Sequence, residues 1–181
     1  GSYAFYYCES LTSVVIGDGV TSIDEYAFYY CNNLVSVEIG DSVTSIGAYA
    51  FSNCTSLTDI IVSTENTSYK SIDGNLYAKD GTTLIQYTCG KTATKFTIPN
   101  SVTSIGDRAF YGCDSIMLDL EDAVAENQKD AARFSLYHAL TTIDYGSTEV
   151  IVRINGLDTP HWQEDIRVCV AGGADGIRIA K

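Results

Sequence analysis

The chain has 181 residues, 45% of them apolar and 19% charged, with 23 acidic residues against 11 basic and a net charge of −12. That composition excludes a mainly disordered chain, and so acidic a surface repels the phosphates of nucleic acids and anionic membranes. No run approaches the roughly 18 consecutive apolar residues of a membrane span, and no basic segment followed by an apolar one marks a leader after Gly1-Ser2. Neither nucleic-acid binding nor membrane insertion is expected.

The first 116 residues are periodic. Phe5, Phe28 and Phe51 are 23 residues apart, as are Cys8, Cys31 and Cys54, and Leu11, Leu34 and Leu57. Val20-Thr21-Ser22-Ile23 recurs as Val43–Ile46 and again as Val102–Ile105, where Ala109-Phe110 and Cys113 follow. The last offset, 59 residues, is two periods plus 13. Within each unit, Ser13–Ile16 and Ser36–Ile39 alternate apolar and polar residues and predict short strands with one buried face. Gly17-Asp18-Gly19 and Gly40-Asp41-Ser42 turn the chain, Val-Thr-Ser-Ile is a second short extended piece, and Tyr-Ala-Phe enters a tight turn. A unit this short cannot bury its apolar side alone; stacking in register lines the repeated Leu, Val, Ile and Phe into one core.

The segments Val20–Ile23, Tyr26–Cys31, Val43–Ile46, Tyr49–Cys54 and Val102–Cys113 resemble the BspA-like class of bacterial leucine-rich repeats, over about residues 1–116. The resemblance implies a curved solenoid with a parallel sheet along one side, an extracellular or cell-surface location, and recognition of other macromolecules. Residues 63–95 break the period. Ser71–Tyr77, then Lys79-Asp80-Gly81, then Thr83–Tyr87 read as two strands around an Asp-Gly turn, a hairpin inserted in the array.

The fourth repeat begins correctly, but Asp119 and Glu121 fall where the apolar equivalents of Val14 and Ile16 should be. Unpaired carboxylates at such inward positions would cost several kcal/mol, so the repeat ends near Ile116. A different pattern follows in 117–181: a strand over 116–120, a helix over 126–143 carrying Ala131, Phe134, Leu136, Tyr137, Leu140 and Ile143, and a strand over 149–154. A helix over 161–171 and a strand over 176–179 complete it. This alternation predicts βαβαβ with a parallel sheet. Asp114–Val124, Val150–Asp158 and Gly173–Arg178 resemble the citrate lyase beta subunit and the HpcH/HpaI aldolases. The resemblance implies a fragment of a TIM-type (β/α)₈ barrel, with about three of its eight strands, from a cytoplasmic family that makes or breaks carbon–carbon bonds with a divalent metal. The segments expected to carry that family's metal ligands are missing. The fold class is therefore α/β: a leucine-rich-repeat solenoid with a β-hairpin insertion, followed by a βαβαβ parallel-sheet fragment.

Cys8, Cys31, Cys54 and Cys113 have repeat spacing rather than the short spacing of zinc ligands. They read as a ladder of buried thiols, with Cys89 and Cys169 outside it and without an evident mate. Asp119, Glu121 and Asp122 close one strand, and Arg153 ends the next in the same sense. By resemblance Arg153 matches a carboxylate-binding arginine, and Glu121 and Asp122 match acidic site residues. The plainer reading makes all three relics, paired with one another or solvated. His138 reads as a helix residue and His161 as solvated. Tyr6, Tyr7, Tyr29, Tyr30 and Tyr111 recur in the turn after Phe. Amphipathic rings in a row suit protein or glycan binding, and they would equally cover the edge of the core.

The function read from the sequence is a non-catalytic recognition module with a protein or glycan ligand and no cofactor. The alternative is a metal-dependent citryl- or malyl-type lyase, requiring Mg²⁺, active only when other chains complete the barrel. Oligomerisation through the truncated barrel segment is the second expected contact.

Overall fold

The computed structural model describes residues 1–92, 96, 98–99 and 101–181. The chain divides into two compact units, Gly1–Cys113 and Asp114–Lys181.

In the first unit, β1 (Ser13–Ile16), β3 (Ser36–Ile39) and β5 (Asp59–Val62) form a parallel sheet in that order. Ser13 pairs with Ser36 and Ser36 with Asp59, so the ladder register equals the sequence period. Strand alternation sends Val37, Ile39 and Ile60 inward and leaves Val15 and Ile61 exposed. The shorter strands β2 (Ser22–Ile23) and β4 (Ser45–Ile46) pair in parallel on their own. Phe28, Phe51, Leu34 and Leu57 are buried in one cluster, with Leu11 and Val14 packed against it. The first three coils turn through left-handed residues: Tyr3, Tyr26 and Tyr49 at one position, Tyr7, Tyr30 and Asn53 at another, with φ between 57° and 60°. Such values are uncommon for non-glycine residues; their recurrence makes them part of the coil's turn rather than local accidents.

The insertion is larger than the hairpin expected. Among the described residues it forms three strands, β6 (Tyr69–Ile72), β7 (Asn75–Ala78) and β8 (Thr83–Gln86), the first two joined through Asp73-Gly74 with φ 49° and 72°. Two successive positive φ values give the hairpin the twist its strands require. Strand β8 then pairs in parallel with β9 (Ser104–Ile105) of the fourth repeat, Leu84 opposite Ile105. The insertion therefore rejoins the stack as a coil of its own; its last residues, 93–95, lie outside the described set. Buried Asn66 begins it, donating to Gly40 O at 2.8 Å and Val43 O at 2.9 Å.

The thiol ladder needs one correction. Cys113 is not a free thiol: it forms a disulfide with Cys89, Cα–Cα 4.9 Å. The rejoining coil carries Cys89 to the place beside Cys113 that a neighbouring ladder cysteine would take. Cys8, Cys31 and Cys54 are thiols. Cys31 donates to Phe5 O and Cys54 to Phe28 O, each at 3.1 Å, and burial pushes the Cys54 thiol up to about 12.

In the second unit, β10 (Ser115–Asp119), β11 (Glu149–Ile154) and β12 (Gly176–Ile179) make a parallel sheet in that order. A short 3₁₀ turn (Glu126–Gln128) leads into α1 (Lys129–Thr142), and α2 (Trp162–Gly172) precedes β12. Leu120, Leu136, Val152, Ile154 and Cys169 form the core with Leu118, Leu140 and Ile166. The helix period misleads along one side of α1: Phe134 is 75% exposed and Ala131 and Tyr137 are exposed as well, while Lys129 and Arg133 are buried. Lys129 Nζ donates to Leu120 O, Glu121 O and Asn155 Oδ1 at 2.8–2.9 Å. Arg133 Nε meets buried Asp165 at 2.7 Å, and Asp165 also accepts from Asn155 N and Nδ2. Arg133 and Asp165 stay buried as a hydrogen-bonded pair, and Lys129 stays buried because three oxygens accept from its ammonium.

Candidate functional site

Two sets of side chains merit a functional reading. The first is aromatic. The 23-residue register brings Tyr3 against Tyr26 and Tyr26 against Tyr49, with centroids 5.0 and 4.6 Å apart and planes within 9°. Tyr6 stacks on Tyr29 at 5.6 Å and Tyr7 on Tyr30 at 4.6 Å. Adjacent columns meet edge to face, Tyr6 with Tyr7 and Tyr29 with Tyr30. These geometries are the favoured ones for aromatic pairs. Tyr6 and Tyr7 are exposed, and Tyr29, Tyr30 and Tyr111 are half-buried. Burial first, and then hydrogen bonding with Tyr111, pushes the Tyr29 hydroxyl up to about 12. The structure thus places all five sequence candidates at the same turn, Tyr6 and Tyr7 on the first coil, Tyr29 and Tyr30 on the second and Tyr111 on the fourth, while the third has Ser52 and Asn53 there. It adds Tyr3, Tyr26 and Tyr49, whose signal was the same period at the residue before Ala-Phe.

The fourth coil changes the pattern. Arg108 occupies the position of Tyr3, Tyr26 and Tyr49, keeps the left-handed φ of 63°, and lays its guanidinium carbon 3.6 Å from the Tyr49 ring centroid. A planar cation continues the column where a ring would otherwise stand.

The second set is charged. Parallel register sets Asp119 of β10 directly beside Arg153 of β11. Arg153 grips Asp119 with two nitrogens, Nε at 3.0 Å and Nη2 at 2.5 Å, and its Nη1 reaches Glu121 at 3.1 Å and Asp122 at 3.2 Å. Burial alone would raise the Asp119 carboxyl, but the Arg153 hydrogen bonds, the Glu121 amide and the Arg153 charge outweigh it and hold Asp119 below its ordinary range. Its bonds to Asp119 in turn push the Arg153 guanidinium upward. Lys129 holds the carbonyls of Leu120 and Glu121 and so fixes the loop from which Glu121 and Asp122 project.

The Arg153 fork, for which the resemblance implies a ligand carboxylate, is closed on Asp119. Mg²⁺, implied by the lyase resemblance, finds no ready donor set: among the described residues no group of three or more His, Cys, Asp or Glu side chains is placed to hold a metal. The carboxylates present converge on Arg153. His161 Nε2 lies 2.5 Å from Glu126 Oε1, and His138 lies on α1. Among the described residues no helix is long and apolar enough to cross a membrane.

Comparison with known proteins divides the chain in the same sense. The sequence profile of the BspA type leucine rich repeat region matches residues 1–87 in six copies, and that of HpcH/HpaI aldolase/citrate lyase matches 95–181. The chain resembles two families in succession. Its lyase-like half is 52% identical over 82 residues to the citrate lyase subunit beta of Leuconostoc mesenteroides subsp. cremoris, which is 45% of this chain and 27% of that protein. It is 49% identical over 58 residues to an L-malyl-CoA/beta-methylmalyl-CoA lyase of Cereibacter sphaeroides, 32% of this chain and 18% of that one. The chain spans about a quarter of the length of the curated relatives it matches. A solved leucine-rich repeat protein from Eubacterium ventriosum aligns with 97% of this chain and 68% of its own at 19% identity and a TM-score of 0.43.

Proposed function

We propose that the chain is a non-catalytic recognition module that binds a protein or glycan through the repeat surface. The observation that carries this reading is the stacking of Tyr6 on Tyr29 and of Tyr7 on Tyr30 at one turn of the coils, with Tyr111 at the same turn of the fourth. Stiff amphipathic rings supply contact area at low entropic cost. On this reading residues 1–116 are a solenoid with its insertion at 63–95, and 117–181 are an incomplete barrel segment through which the chain associates with other copies. The Cys89–Cys113 disulfide supports an oxidising, cell-surface setting for the repeat half. The test is binding of the full chain to glycan and protein arrays, beside a variant with Tyr6, Tyr7, Tyr29 and Tyr30 replaced by Ala. The reading requires hits that the variant loses while its circular dichroism is kept; hits unchanged in the variant count against it.

The second reading is a metal-dependent carbon–carbon lyase assembled with other chains. The cluster of Arg153 with Glu121 and Asp122 favours it, because the family resemblance implies site roles for those three residues. In such an assembly Arg153 would have to exchange Asp119 for a ligand carboxylate. Lyase turnover by the full chain, abolished by Arg153→Ala, is the result that would establish it.

A further inference from the structure

The repeat unit contains a cleft of about 240 Å³ between its third and fourth coils. Its origin is a mismatch of length. Five residues separate the strand isoleucine from the following phenylalanine in both flanking coils, Ile46 to Phe51 and Ile105 to Phe110. In the inserted coil Leu84 takes the isoleucine place, opposite Ile105. Tyr87 takes the phenylalanine place, its N donating to Ala109 O as Phe28 N donates to Ala50 O. Those two are only three residues apart. The inserted coil is therefore two residues short, and the space between Gly47–Tyr49 and Gly106–Arg108 is left as the cleft.

What lines it is unlike the rest of the stack. Ser52 stands where Tyr6, Tyr29 and Tyr111 stand in the other coils, and its Oγ is buried with no hydrogen-bond partner among the described residues. Gln86 is buried, with Nε2 donating to Tyr87 O at 2.9 Å and Ala109 O at 3.2 Å, which leaves Oε1 as an acceptor. Arg108, stacked on Tyr49, brings guanidinium donors, and Asp107 at the rim is an exposed carboxylate 3.8 Å from it. Ile46 and Ile85 provide apolar wall.

We infer that this cleft is a sugar subsite taking one neutral pyranose, the end or a side branch of a glycan. The inference deepens the recognition reading above and rests on it. Sugar hydroxyls both donate and accept, and the cleft offers both: guanidinium donors, and the acceptors Asp107 and Gln86 Oε1. The ring's C–H face suits the isoleucine wall. A volume below that of most ligand pockets fits one ring and not an extended peptide, which would need a continuous edge or groove. Asp107 at the rim and a net charge of −12 disfavour acidic sugars.

The test uses the full ¹⁵N-labelled chain and free galactose, mannose, fucose and N-acetylglucosamine, with sialic acid as the charged comparison. The expected result is that at least one neutral sugar shifts the amides of Gly47, Gly106 and Arg108 in the millimolar range and sialic acid does not. Asp107→Asn should weaken that binding about tenfold, the loss of one charged hydrogen bond. Ser52→Tyr, which restores the ring of the other coils, should abolish it. Circular dichroism of both variants should be unchanged; if Ser52→Tyr fails to fold, Asp107→Asn decides alone. Absence of any shift at these amides overturns the proposal, as does a shift that survives the folded variants. Array binding that survives both variants without sugar shifts overturns the subsite alone. No array binding and no sugar shift overturns the subsite together with the reading beneath it.

Discussion

In the repeat unit tyrosine rings stack on one another at 4.6–5.6 Å and keep part of their edges in solvent, whereas in the C-terminal unit Arg153 is ringed by Asp119, Glu121 and Asp122. One surface has unfilled contact capacity; the other has its strongest binding group already occupied. The reason lies in how each unit places its residues. A fixed register repeats one side chain coil after coil and builds a surface. A parallel sheet of three strands sets the ends of β10 and β11 side by side, and unlike charges at those ends pair with each other. The difference teaches that side chains repeated by a ladder register build an open surface, whereas opposite charges brought together at strand ends satisfy one another.

The largest expected effect sharpens this contrast inside the C-terminal unit. Asp165→Ala leaves buried Arg133 with only the exposed Asp130 carboxylate, takes the acceptor from Asn155 N and Nδ2, and should destabilise that unit by about 3–5 kcal/mol, the penalty for breaking a buried pair. Amide exchange of α1 and β11 in the full chain reads it. Arg153→Met, at a site one-fifth exposed, should by comparison cost no more than about 1 kcal/mol. Equal losses from the two variants would erase the distinction between the structural pair and the site cluster.

Next in size is the disulfide. Alkylation under denaturing, non-reducing conditions should label Cys8, Cys31, Cys54 and Cys169 and spare Cys89 and Cys113, by mass spectrometry. Replacing both bridged cysteines by Ser should lower the stability of the repeat unit by roughly 2–4 kcal/mol. Label on all six cysteines would contradict the structure.

The pairing of Cys89 shows where sequence reasoning stops. The repeats at Phe5, Phe28 and Phe51 were legible because equal spacing displays equal places. The inserted coil is two residues short, so its cysteine has no visible period; β8 was read as half of a hairpin, which it is with β7, but its second pairing, with β9, left no mark in the sequence. The same shortening makes the cleft, a space defined by residues that are not there. In α1 the apolar spacing favoured Phe134, yet buried Asp165 draws Arg133 inward and turns Phe134 out. The Arg153 cluster was legible as a meeting of strand ends. That its fork closes on Asp119 is a matter of register, which composition does not carry.

Opposite pH limits give a smaller, separable effect. Asp119 has its carboxyl held below 3.8, so its contribution is complete above about pH 4 and is lost as pH falls through the lowered value. Tyr29 is raised to about 12 from 10.0, so its contribution is complete below pH 10.0 and lost as pH rises toward about 12. Exchange-detected unfolding should therefore touch the C-terminal unit first in acid and the tyrosine turn first in alkali. Acid melting that is unchanged in Asp119→Asn would remove the first half of that statement.

The most direct measurement is a binding titration of the full chain, against whichever array ligand it captures, in three forms: unaltered, with Tyr6, Tyr7, Tyr29 and Tyr30 changed to Ala, and with Arg153 changed to Met. The expected result is loss of at least about tenfold in affinity in the tyrosine variant and none in the arginine variant. Affinity kept in the tyrosine variant and lost with Arg153→Met would contradict the assignment of recognition to the repeat surface.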